Sequence, residues 1–215
     1  DGDVELHVTG GFGTIAVGDV DNAAATIDEM ADVAEANGGT EQVSLADAEA
    51  IAVQTVRWTL PEIVPGLVAH VSMGFEAGTP DTSSANELDT TSYGARYSVG
   101  GVTLGAGVLE VEDAAYDPTY TAISYGNGPL YVAYASTKDD GAANTDTSTL
   151  AATYNYGPGK VYAEMNEQKV AAGTTTDIDV VGISYKIGGM NLYIEQMSHS
   201  TVSSGAMTAG VEYSF

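Results

Sequence analysis

The feature that most limits how this chain can fold is a two-residue alternation that recurs in segment after segment. Val4, Leu6 and Val8 face one way, and Glu5, His7 and Thr9 the other. Val56, Trp58 and Leu60 alternate with Thr55, Arg57 and Thr59, and Tyr93, Ala95, Tyr97 and Val99 alternate with Ser92, Gly94, Arg96 and Ser98. The last segment sets Met207, Ala209, Val211, Tyr213 and Phe215 against Thr208, Gly210, Glu212 and Ser214. A helix cannot place such residues on separate faces, because its period is 3.6; a pleated strand can. Counting every such segment predicts an all-β chain of about 13 strands.

The connections carry the second constraint. Short turns such as "GGFG", "PEIVPG", "VGG", "GNGP", "YGPG" and "IGG" take turns with long polar loops such as "EAGTPDTSSANELDTT" and "STKDDGAANTDTST". An antiparallel up-and-down meander with one tight rim and one elaborate rim produces that order, whereas a Greek-key sandwich does not. On the apolar faces, aromatics collect beside the short turns: Trp58, Tyr97, Tyr125, Tyr154, Tyr156, Tyr185, Tyr213 and Phe215. An aromatic girdle at a membrane interface has this signature, and it predicts a transmembrane β-barrel with Trp58, Tyr213 and Phe215 as interface anchors. A Tyr-rich soluble β protein is the plainer reading. It leaves the alternation of loop length unexplained.

Composition narrows the functions. With 6 Lys+Arg against 30 Asp+Glu and a net charge of -24, the surface repels nucleic acid and suits cations or neutral solutes; haloadaptation would give the same balance. The absence of Cys removes thiol catalysis, Cys-zinc sites and disulfides. His7, His70 and His199 are scattered without metal spacing, "GGFG" has no strand–loop–helix context, and no Ser/His/Asp set stands out, so no enzyme is expected. No run approaches the roughly 18 apolar residues of a membrane helix. Without a leader peptide, the chain reads as processed or truncated.

One connection breaks the rhythm. From residue 19 to residue 50 the chain carries nine carboxylates and no base. Within it "TIDE", Thr26 to Glu29, has capping-box form, Ile27, Met30 and Ala34 fall at helical spacing, and "NGG" supplies a stop. This predicts a helix of about three turns on an ordered loop. The strands that follow carry Arg57, His70 and Arg96 on their polar faces. If the loop folds into the barrel, its acids Asp19, Asp21, Asp28, Glu29, Asp32 and Glu35 oppose that wall. Opposed charges across a narrow water gap make a transverse field that favours polar solutes. The plainer alternative pairs the arginines with strand acids such as Glu76 or Glu164 and leaves the loop acids as a solvated face. Asp139, Asp140 and Asp146, or Asp19 and Asp21 with their loop neighbours, offer oxygen ligands to calcium without a defined loop spacing; solvation by water and salt is the other reading.

The segment "LHVTGGFGTIAVGDV", the long acidic loop, "TVRWTLPEIVPGLVAHVSMGF" and the terminal "GVEYSF" together resemble the general porins of Gram-negative outer membranes, in order along nearly the whole chain. The resemblance implies a barrel of about 16 strands, usually a homotrimer, that passes small hydrophilic solutes and ions passively through the outer membrane. It implies that the 19–50 loop folds into the lumen, with Arg57 on the wall. It also implies that residues 1–215 form a single barrel domain whose first three strands are missing, roughly 50 to 70 residues at ordinary strand lengths. The excess carboxylate predicts a cation-leaning channel. Two other readings remain: a plugged structural or adhesive surface barrel, and a substrate-specific channel. An aromatic slide would mark the latter, and inward Tyr131, Tyr162 and Tyr193 are too few to make one.

Overall fold

The computed structural model describes residues 4–35, 53–76, 90–111, 117–139, 145–170, 173–201 and 205–213. Among the described residues, thirteen strands form one sheet in strict sequence order, every neighbour antiparallel. They are β1 Glu5–Gly10, β2 Gly13–Gly18, β3 Val53–Thr59, β4 Leu67–Glu76, β5 Thr90–Val99, β6 Val102–Val111, β7 Thr119–Asn127, β8 Leu130–Lys138, β9 Thr145–Asn155, β10 Gly159–Val170, β11 Thr175–Ile187, β12 Met190–His199 and β13 Ala206–Tyr213. The expected number and the up-and-down topology are both present, with β1 and β13 at the sheet's two edges.

Register explains how the alternation is used. Ile123 pairs with Leu104 and Tyr134, and Leu150 with Tyr134 and Met165, so outward apolar residues line up from strand to strand. Leu104, Ile123, Tyr134, Leu150, Met165, Val181, Ile194 and Val211 are all exposed. A contiguous apolar face of this extent is stable only against lipid. At the short-turn end of the same face stand Trp58, Tyr97, Tyr125, Tyr154, Tyr185 and Tyr213. Trp58 Nε1 donates to the carbonyl of Phe12 in the β1–β2 turn at 2.8 Å, satisfying its one polar atom where ring and rim meet. Phe215 lies outside the described residues.

The inner face is where the sheet departs from simple alternation. On β6 to β9 it carries Leu109, Val111, Tyr120, Ala122, Ala133, Ala135 and Ala151, all buried. The cover comes from the connection after β2. Residues Val20 to Glu35 lie against the inner wall, with helix α1, Ala25–Asp28, followed by a 3-10 turn, Glu29–Ala31. The helix is shorter than the three turns the spacing predicts, and Thr26 does not cap it. Asn22 Oδ1 accepts from the amides of Ala24 and Ala25, both at 3.0 Å, while Thr26, already inside the turn, donates its hydroxyl back to the Ala23 carbonyl at 2.9 Å. Asp32, at φ -83 and ψ 116, ends the helical run. The "NGG" stop lies outside the described residues.

Candidate functional site

The described part of the loop, residues 19–35, is held at two places by the inner wall. At its start, the Ala23 amide donates to Ser72 Oγ on β4 at 2.9 Å and to Ser92 Oγ on β5 at 2.8 Å; the two hydroxyls are 2.6 Å apart. These serines are cross-strand partners, which is why both reach one amide. Beside them the loop backbone comes so close that only glycine fits: a Cβ on Gly94 would lie 2.0 Å from the Ala23 carbonyl oxygen, and one on Gly107 3.0 Å from Ala24 Cα. Arg57 completes the attachment, its Nη1 donating to the Asp21 carbonyl at 2.8 Å.

The middle of the loop is seated by apolar contact. Ile27, Met30, Ala31 and Val33 form one buried cluster with Leu109, Tyr120, Ala122, Ala133, Ala135, Ala151 and Tyr162. Burying a side chain of the size of Ile27 or Met30 stabilises by about 1.5–3 kcal/mol. Tyr131 Oη donates to the Met30 carbonyl at 2.6 Å.

Residues 33–35 are gripped by acids on β10 and β12 of the inner wall. Glu164 Oε1 on β10 accepts from the amides of Val33 and Ala34, both at 2.6 Å. Glu195 Oε1 on β12 accepts from the Glu35 amide at 2.6 Å and from Tyr162 Oη at 2.7 Å. Lys160 Nζ donates to the Val33 carbonyl at 2.8 Å and pairs with the Glu35 carboxylate at 3.1 Å. Glu164 and Glu195 are fully buried, and these donors are what a buried carboxylate requires.

The residues singled out from sequence therefore divide. Asp21 and Glu29 come together with Arg57 and Arg96: Glu29 hydrogen-bonds Asp21, and both guanidiniums act on it. Burial, then the bond to Asp21 and the Asp21 charge, push the Glu29 carboxyl from its ordinary 4.5 up to about 7, against the opposing pull of Arg57 and Arg96. Glu35 turns to Lys160 instead. Asp28 is buried, whereas Asp19 and Asp32 are exposed. His70 is buried in the wall, its Nδ1 3.0 Å from Thr59 Oγ1. Glu164 holds loop amides, the role that the alternative pairing with the arginines leaves out. Nothing is described of the Glu76 side chain.

Among the described residues no group of three His, Asp or Glu is placed to hold a metal ion; Asp140 lies outside them. Two of the inward tyrosines are occupied, Tyr131 by the Met30 carbonyl of the loop and Tyr162 by Glu195 of the wall.

The serine pair, Gly94, Glu164, Glu195 and Lys160 are the parts that sequence reasoning missed. One signal was present. The inward positions of "VTLGAGVLEV" and "LYVAYAS" are small or apolar, and a water-lined wall has no use for that unless something apolar docks on it.

The model of the Gram-negative porin family matches residues 1–215. A porin structure refined at 1.8 Å superposes with a TM-score of 0.71 at 15% identity, over 98% of this chain and 80% of the porin. A triply substituted porin of Rhodopseudomonas blastica matches with a TM-score of 0.66 at 20% identity, over 94% of this chain and 73% of that one. Another variant of the same porin gives a TM-score of 0.67 at 21% identity over the same shares. At these identities the structural likeness speaks for the fold. No curated protein matches the chain.

Proposed function

The chain belongs to the Gram-negative porin family, an outer-membrane diffusion channel, and from that premise we propose how its pore is narrowed and which solutes it favours. The segment Val20 to Glu35 is the constriction element. It crosses the lumen from the Ser72/Ser92 attachment to the Glu164/Glu195 attachment, and this anchoring at two places carries the reading. Asp21 and Glu29 on the loop face Arg57 and Arg96 on the wall, and the field between them orients water and polar solutes. Permeation is passive for small hydrophilic solutes and ions, without catalysis, and leans to cations because carboxylates outnumber bases in the chain. The assembly is the trimer usual among porins, embedded in outer-membrane lipid. The acidic loops are also proposed to take calcium through their carboxylate oxygens.

Single-channel recording in planar bilayers tests this. Removal of residues 24–38 raises the conductance, and a salt gradient gives a reversal potential of cation sign. An unchanged conductance overturns the constriction, and an anion-selective reversal potential overturns the cation preference.

A further inference from the structure

The lipid-facing surface is not uniform. On its outward side, β8 to β13 frame a hollow of about 610 Å³, within the size range of small-molecule sites. Register explains it. Ala152 of β9 pairs with Ala163 of β10, Ala163 with Val181 of β11, and Val181 with Gln196 of β12, so two alanines form its floor. Taller rows flank them. Tyr154, Val161 and Ile183 pair in order on the short-turn side, and Leu150 pairs with Met165 on the long-loop side. Among the described residues no charged side chain lines the hollow. Gln196, at its far end, donates Nε2 to the carbonyls of Met197 and Ala206 at 3.2 and 3.3 Å, so that donor is satisfied by backbone.

The hollow also has a direction. Its floor row begins on β8 with Val132, which pairs with Ala152. Val132 lies two residues beyond Leu130, the first of β8, whereas Gln196 lies six beyond Met190, the first of β12. The row therefore climbs away from the short-turn rim as it crosses the sheet. Four strand spacings at the roughly 35–45° tilt of such barrels give a climb of about 11–14 Å, close to one leaflet of a hydrocarbon core roughly 30 Å thick. Leu130 and Tyr154 stand at the low end, on the aromatic rim.

We propose that this hollow seats one acyl chain of a phospholipid from the leaflet on the short-turn side. The headgroup lies beside Leu130 and Tyr154, and the chain runs over Ala152 and Ala163 towards Gln196. The hollow is continuous with the outward face that meets lipid, and its low end opens at the level of the headgroups. A lipid tail is as apolar as these side chains, so the preference does not come from escaping water. It comes from contact. A chain crossing the flanking ridges leaves the alanine floor without partner atoms, and a chain lying along the row supplies them. The seat is on the outer surface and is independent of the constriction and of ion preference.

Native mass spectrometry of the full-length protein, released from detergent in the presence of dioleoyl phosphatidylethanolamine, tests it. The wild type should keep a lipid at detergent levels that strip the rest of its surface. Ala152→Leu and Ala163→Leu fill the floor from neighbouring strands, and each should lower the retained fraction about tenfold, the scale of ten or so lost carbon contacts. Ala106→Leu, at an exposed outward alanine of β6 away from the hollow, should leave retention unchanged. Circular dichroism verifies that each barrel has folded. Equal retention by the wild type and both filled variants overturns the proposal, as does an equal loss in Ala106→Leu. Filled variants that keep the lipid but change the number of chains in the assembly overturn it as well, and give the hollow to a second copy of the chain.

Discussion

The two attachments of the lumenal loop solve one problem with opposite chemistry. At the start, neutral hydroxyls of Ser72 and Ser92 hold one amide, and glycine brings the backbones together. At the end, the fully buried carboxylates of Glu164 and Glu195 accept three loop amides and a tyrosine hydroxyl. Arg57 joins the serines through the Asp21 carbonyl and, with Arg96, acts on Glu29 beside it. Ionic anchoring holds more firmly but demands that every buried oxygen be satisfied, since a charge left alone inside protein is far costlier than a lone hydroxyl. The start is thus held by two hydroxyls and one guanidinium, and residues 33–35 by buried carboxylates.

Breaking the ionic end should have the largest effect. Glu164→Ala removes the acceptor for two amides, and the loop end should loosen by roughly 3 kcal/mol, from the value of hydrogen bonds to charged groups. Hydrogen exchange at the Val33 and Ala34 amides should speed up, with raised, noisier conductance. Exchange as slow as in the wild type would show that the apolar seat of Ile27 and Met30 holds the end without help.

Crowding the neutral end comes next. Gly94→Val forces the Ala23 carbonyl away from the wall and should cost about 1–3 kcal/mol, as overpacking does. Single-channel conductance should shift while the barrel, judged by circular dichroism, persists. Removing hydroxyls is milder: Ser72→Ala alone leaves Ser92 to hold the Ala23 amide, and the loss should be about 1 kcal/mol. The double variant with Ser92→Ala should lose more than twice as much, because the amide is then buried without a partner.

The smallest effect is a titration. Glu29 has a folded value of about 7 against an ordinary 4.5, so the folded protein binds the extra proton between these values. Its contribution to the docked state is therefore present at low pH and lost as pH rises from 4.5 towards 7. Permeation moves the other way: as pH falls through about 7 the eyelet loses one negative charge and cation preference declines. Reversal potentials measured across that window should follow one proton, and Glu29→Gln should flatten the curve. A wild-type protein whose selectivity does not change between pH 6 and 8 (about one unit either side of the midpoint) would place Glu29 outside the permeation path.

The two attachments also differ in how legible they were. Asp21 and Glu29 were readable only as acids of one loop, whereas the inward placement of Arg57 and Arg96 was readable because a strand's faces are set by parity, and parity is local. So were the thirteen strands, the lipid-facing rows and the aromatic rim with Trp58 and Tyr213: each follows from a two-residue period and from turn residues a few positions apart. Glu164 and Glu195 looked like any inward polar residue of a pore. Their meeting with Val33, Ala34 and Glu35 spans more than a hundred positions of chain. No periodicity encodes a contact of that range. It depends on which way the loop lies once the sheet has curved, and on which acceptors then stand within reach of its amides. The cap at Asn22, the glycine contacts at Gly94 and the turn of Glu35 towards Lys160 were decided in the same way. Local pattern determined the wall; only the tertiary structure decided what the wall holds, because burial and hydrogen-bond satisfaction are settled by neighbours in space.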